Sequence, residues 1–216
     1  MTNPRPLSLV AMTPEGPEPP VAHGKNLLRQ WDPESQLVGA LLHLPAAQVA
    51  QILDVVPDSV IWRPETRWAF EVIRHIVAGG EDPDPVVVLH TARQRSPTDA
   101  AHPGEPVSAS RHHQFAIHLA NLYTQAVNPA AARQYAREVL DGAYRRAVEL
   151  HGIRMAELAQ SGTSRTLIAN YLTDMCATLA DLMKRAEAAA RYTTDRSAPV
   201  KCRKVSVSTD NIESNE

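Results

Sequence analysis

Between residues 32 and 190 the apolar positions recur at helical spacing. Leu37, Leu41 and Leu44 fall on one face of a first segment. Asp32 suits the N-cap of that segment, and Pro33 suits its first turn, where no N–H is needed. A second stripe is Val49, Ile52, Leu53 and Val56, opened by Pro45 and broken by Pro57 and Asp58. A third is Phe70, Ile73 and Val77, opened by Pro64 and stopped by Gly79 and Gly80. Residues 85–95, "PVVVLHTARQR", point two ways. Three consecutive valines favour a strand, whereas Pro85 and the Ala-Arg-Gln that follows favour a helix. After a proline-rich loop, 96 to about 110, Phe115, Leu119 and Leu122 mark another helix, which ends near Asn128 and Pro129.

The last third has a different rhythm. Ala132, Ala136, Leu140, Ala143, Ala147 and Leu150 are spaced close to a heptad repeat. After the break "QSGTS", so are Ile168, Leu172, Met175, Leu179, Leu182 and Ala186. Two long seamed helices joined by a short Gly-containing turn make an antiparallel hairpin. Such a hairpin either packs wholly on its own domain or projects and pairs with a second copy, and the periodicity allows both. The expected fold class is therefore all-α, a compact multi-helix globular domain followed by a long antiparallel helical hairpin. The chain divides into a Pro-rich arm expected to be disordered (1–30), a globular helical subdomain (31–130), the hairpin (131–192) and a polar, disordered tail (193–216).

Composition narrows the function classes. A hydrophobic fraction of 44% suits a globular core, and a net charge of −2 excludes a generic nucleic-acid binder by charge. The two cysteines, Cys176 and Cys202, make neither a disulfide framework nor a zinc site and fit a reducing cytoplasm. No basic region followed by an apolar core marks the N-terminus, and no apolar run approaches the length of a membrane span, so a cytoplasmic protein without membrane attachment is expected.

Chemistry-bearing sets are sparse. His112, His113 and His118 are one, five and six residues apart, where helix ligand pairs need three or four, so they read as solvated or capping side chains. Arg133, Arg137, Arg145 and Arg146 give the first hairpin helix a basic side. It is either a solvated face with local pairs to Glu138 and Asp141 or a docking surface for an acidic partner or phosphates. Lys184, Arg185, Arg191, Arg196, Lys201, Arg203 and Lys204 form a second basic run that could touch DNA weakly, with strong salt dependence. Only Tyr192 lies within it as a stacking platform, so a solubilising tail is the preferred reading. Cys176, beside Met175, reads as packing. Trp31, Trp62 and Trp68 read as core or interface anchors.

Read together, these segments resemble the N-terminal domain of DnaB-type replicative helicases. The family opens with a carboxylate and a Leu-Gly-Ala-Leu-Leu-like run, here "ESQLVGALL", 34–42. An aromatic, a proline and an apolar helix follow, here "IWRPETRWAFEVI", 61–73. "GGEDPDPVVVLHTA", 79–92, matches a Gly-rich bend and the helix after it, and "HLANLYTQAVNPAAARQYAREVL", 118–140, matches a two-helix junction. The chain departs from the pattern at Thr66, where the family carries a histidine, and in the alanines before Tyr135-Ala136, where it carries an asparagine. The resemblance implies a helix at 86–95 and a close approach of another helix at Gly39. It further implies a non-catalytic, replication-linked role through protein contacts: self-association into a dimer or ring by hairpin pairing, and binding of a replicative helicase, primase or helicase loader.

A motor of that family needs a phosphate loop of the form G-x-x-x-x-G-K-[ST]. The only Gly-Lys pair, Gly24-Lys25, is followed by Asn26, and Pro19 stands where the first glycine belongs. No ATPase or helicase activity, no cofactor and no metal are expected. A rival reading is a dimerisation or regulatory module unconnected with replication. The chain ends where a linker to a motor would begin, which reads as a stand-alone copy.

Overall fold

A computed structural model describes residues 31–100 and 107–194, with side chains described as far as Arg191. The arm before residue 31, the Gly24-Lys25 pair, Cys202 and the basic positions 196–204 lie outside the described residues.

Helix α1 (Pro33–Leu41) starts as its sequence requires. Asp32 is extended at the N-cap, and its carboxylate accepts from the Ser35 N–H at 3.1 Å. Leu37, Val38, Ala40 and Leu41 are fully buried, so α1 is apolar around most of its circumference and forms the centre of the domain. Its neighbours are α3, α5 and α6, described below. Helix α2 (Ala46–Leu53) follows extended Pro45 and buries Val49, Ile52 and Leu53. A single 3-10 turn (Asp58–Val60) leads to α3 (Pro64–Ala78), whose Trp68, Phe70 and Ile73 enter the core.

Arg74 holds the α2–α3 connection to α3. Its guanidinium donates to the Leu53 and Val56 carbonyls at 3.0 and 2.6 Å and to Asp58 Oδ1 at 2.8 Å. Helix α3 stops at Gly79, and Gly80 turns the chain with φ +83°, a conformation in which a side chain is strained.

The valine run is helical. Helix α4 (Pro85–Gln94) is capped by Asp84, whose carboxylate accepts from the Val86 N–H at 2.8 Å. Val88 is buried while Val86 is 75% exposed, which is how consecutive residues distribute on a helix. Proline and cap chemistry thus outweigh the strand preference of valine. Helix α5 (Ala109–Gln125) is capped by Ser108 and buries Phe115, Leu119 and Leu122. Phe115 meets Trp68 with ring centroids 4.1 Å apart.

A second 3-10 turn (Pro129–Ala131) feeds α6 (Ala132–Gln160), and a turn at Gly162 (φ +68°) reverses the chain into α7 (Arg165–Thr194). These two form the antiparallel hairpin. Helix α6 packs on α1 at its start and along α7 for the remainder. Among the described residues there is no strand, and the molecule is all-α: a globular group of helices with a long hairpin attached.

Candidate interaction surfaces

The hairpin has a buried root and an open tip. At the root, Ala132, Ala136, Leu140 and Ala143 of α6 and Leu182 and Ala186 of α7 are buried in the domain core. Ala147 is half-buried against it. Towards the turn, the half-buried positions are His151, Met155 and Leu158 on α6 and Ile168, Tyr171, Met175 and Leu179 on α7. Two of the seam positions read from the sequence fall elsewhere. Leu150 is 57% exposed and Leu172 is 38% exposed. After Ala147 the inward position of α6 lies four residues on, at His151, rather than three. A polar ring is accommodated there because His151 Nδ1 lies 2.6 Å from the Tyr171 hydroxyl, with the two rings edge to face. Cys176, expected to pack beside Met175, is exposed instead. Val148, Ile153 and Leu167 add further exposed apolar surface to the outer hairpin, and Met183 is exposed at the root, between Leu182 and Ala186.

The four arginines do not make one basic face. Arg133 donates to Gln51 Oε1 of α2. Arg137 pairs with Asp141 on its own helix at 3.8 Å, and Arg145 is exposed. Arg146 turns inward. It donates to the Val60 carbonyl at 2.7 Å, sits 3.2 Å from Glu34 Oε1 and lies over the Trp62 ring at 5.8 Å. It is a structural residue, because the partner its charge requires lies on α1, far away in sequence.

Glu34 is the functional-looking carboxylate that spacing arguments did not single out. It is buried, and its Oε2 accepts from the Trp62 and Arg63 N–H groups at 3.0 and 3.2 Å. One carboxylate therefore joins α1, the entry to α3 and the hairpin. The signal in the sequence was the carboxylate that opens the "ESQLVGALL" run.

Beside this junction lies an open groove of about 530 Å³ between the α2–α3 connection and the hairpin, lined by Val60, Trp62, Ala147, Leu150, Thr178 and Leu182 among others. Of the three tryptophans, Trp68 is core, whereas Trp62 is 61% exposed on the groove and Trp31 is 74% exposed just before α1. Of the two roles expected for the tryptophans, core or interface anchor, Trp68 takes the first, while Trp31 and Trp62 lie on the surface.

The histidines diverge, as their spacing demands. His112 contacts the Leu89 carbonyl at 3.0 Å, His118 contacts the Thr66 hydroxyl at 3.1 Å, and His113 is exposed. Thr66 is fully buried, so the position at which this chain departs from the DnaB pattern carries a hydrogen bond of its own. Among the described residues no group of three His, Cys, Asp or Glu is placed to hold a metal, and no helix is long and apolar enough to cross a membrane. In the second basic run, Arg185 pairs with Asp181 at 2.7 Å and Arg191 with Glu187 at 3.9 Å.

No protein-family model matches the sequence, and no curated protein matches it. Among solved structures the chain is similar to the crystal structure of the N-terminal domain of DnaB helicase from Mycobacterium tuberculosis. The TM-score is 0.54 at 21% sequence identity, and the match covers 69% of this chain and 95% of that one. The all-α arrangement is thus the fold of a DnaB helicase N-terminal domain.

Proposed function

From a chain that has the fold of a DnaB helicase N-terminal domain, we propose a non-catalytic protein that works in DNA replication through protein contacts. The supporting observation is the match over nearly the whole of that domain. In this reading the chain self-associates through its outer hairpin and engages a replicative helicase, a primase or a helicase loader. The exposed apolar side chains of the hairpin, Val148, Ile153, Leu167, Leu172 and Met183, are surface that a partner would cover. The groove, with Trp62, Leu150 and Leu182 in its lining, is open surface that suits docking of a partner.

The test is binding of the purified full chain to the purified helicase, primase and loader of the same cell, one pair at a time, with light scattering on the chain alone. Binding to one of the three together with a dimer or larger species is expected. A monomer that binds none of them would overturn the reading and favour a regulatory module unconnected with replication.

A further inference from the structure

Two side chains of α3 hold the start of the α4–α5 connection. Trp68 Nε1 donates to the Arg95 carbonyl at 2.8 Å. Glu71 is buried, and its carboxylate accepts twice from Thr98: from the N–H at 3.1 Å on Oε2 and from the hydroxyl at 2.5 Å on Oε1. A buried carboxylate is tolerated only when donors satisfy it, and here one residue supplies both. Thr98 itself is exposed. It stands at the first central position of a turn closed by the Ala100 N–H on the Pro97 carbonyl at 3.1 Å.

The residues before this turn carry a charge pattern. In "RQRSPT", 93–98, Arg95 and Arg93 lie three and five positions ahead of Thr98, and no other Ser or Thr of the sequence has arginine at both places. Both arginines are exposed. Arginines at fixed offsets from a hydroxyl are what the acidic substrate groove of a serine/threonine protein kinase reads. Such a groove takes its substrate extended. Arg95 is already extended, with φ −124° and ψ 99°, and Arg93 lies in the last turn of α4. Opening that turn and the one at Thr98 is a local event that leaves the core packed.

We propose that Thr98 is a phosphorylation site for an arginine-directed serine/threonine protein kinase, and that the phosphate unlatches the α4–α5 connection from α3. In the transfer the Thr98 hydroxyl oxygen attacks the γ-phosphorus of ATP. The O–P bond forms, the bond from that phosphorus to the β,γ-bridging oxygen breaks, and ADP leaves. The hydroxyl proton passes to the catalytic carboxylate of the kinase. Thr98 then has no hydroxyl hydrogen to donate, and it carries a charge of about −1.5 to −2 against the buried Glu71 carboxylate. Two anions in a mostly buried site repel, so Thr98 leaves Glu71 and the first residues of the connection move off α3. The site holds or fails independently of any replication partner.

The test is phosphorylation of the full chain with ATP and the purified catalytic domain of a kinase that selects arginine at both positions. Mass spectrometry maps the phosphate, and hydrogen exchange follows the Thr98, Asp99 and Ala100 amides. Phosphate on Thr98 is expected, and Arg93→Ala combined with Arg95→Ala slows its addition at least about tenfold. Exchange of the three amides rises about tenfold or more in the phosphorylated chain. Glu71→Gln keeps an acceptor for Thr98 but removes the repelling charge, so there phosphorylation raises exchange much less. No phosphate on Thr98, or phosphate on Ser96 in its place, overturns the site. Phosphate on Thr98 with unchanged exchange, or with an equal rise in Glu71→Gln, overturns the latch.

Discussion

Gly39 and Glu34 sit on the same short helix and act in opposite ways, one by the atoms it lacks and the other by those it carries. A Cβ on Gly39 would stand 2.3 Å from the Leu122 carbonyl oxygen and 3.2 Å from Ala126 Cβ. The first neighbour is backbone at the end of α5 and cannot swing aside. Gly39→Ala therefore lowers stability by about 1–3 kcal/mol, despite the better helix propensity of alanine. Urea unfolding measures this, and an unchanged midpoint would contradict the close packing of α1 on α5. At Glu34, Gln keeps the shape but removes the charge that faces Arg146 and the Trp62 and Arg63 N–H groups. Glu34→Gln costs about 2–3 kcal/mol, because charge-assisted hydrogen bonds in a buried site are lost. A loss below 0.5 kcal/mol, roughly the scale of an exposed pair, would show that the junction is solvated. Gly39 was legible as a close approach from the family resemblance. The role of Glu34 was not, because its partners are set by tertiary folding and no local pattern encodes them.

Start and stop residues carried most of the information at the scale of the element. Asp32-Pro33, Pro64, Asp84-Pro85 and Gly79-Gly80 sit at helix boundaries because each supplies a cap, a preset φ or a missing donor at the position that needs it. The hairpin seam was legible at its root, where alanines and leucines alternate with polar residues. It was lost towards the tip. There His151 faces inward and Leu150 outward, and a histidine in a seam is invisible to an apolar count when its partner, Tyr171, lies on the other helix. Tyr171→Phe removes that hydrogen bond and destabilises the hairpin by about 0.5–1.5 kcal/mol, read from thermal unfolding. Leu179 is half-buried on α7. Leu179→Asp places a carboxylate against the seam and is expected to disrupt the hairpin or its association, seen as lost helicity or a smaller species in light scattering. Retention of both would remove Leu179 from the seam.

The whole molecule is built as a packed helical domain from which one hairpin extends, with its outer half carrying exposed apolar side chains and an open groove at its base. Its similarity to the DnaB helicase N-terminal domain covers 69% of this chain and 95% of that domain. Fold class was legible in the sequence because the periodicity is helical from residue 32 to about 190 and the segments follow one another in a known order. Surface use was less legible. Arg146 looked available and is engaged, while for Trp62 the sequence left open whether it anchors a core or an interface, and it is exposed. Both depend on which elements meet, and that is decided by packing rather than by local composition. The central claim concerns partners, so the most direct measurement is affinity capture of the tagged full chain from its native cell, with mass spectrometry of what co-purifies. Recovery of the replicative helicase, a primase or a helicase loader is the predicted result. Capture of none of the three, from cells in which all are expressed, would contradict the replication role and leave only the fold.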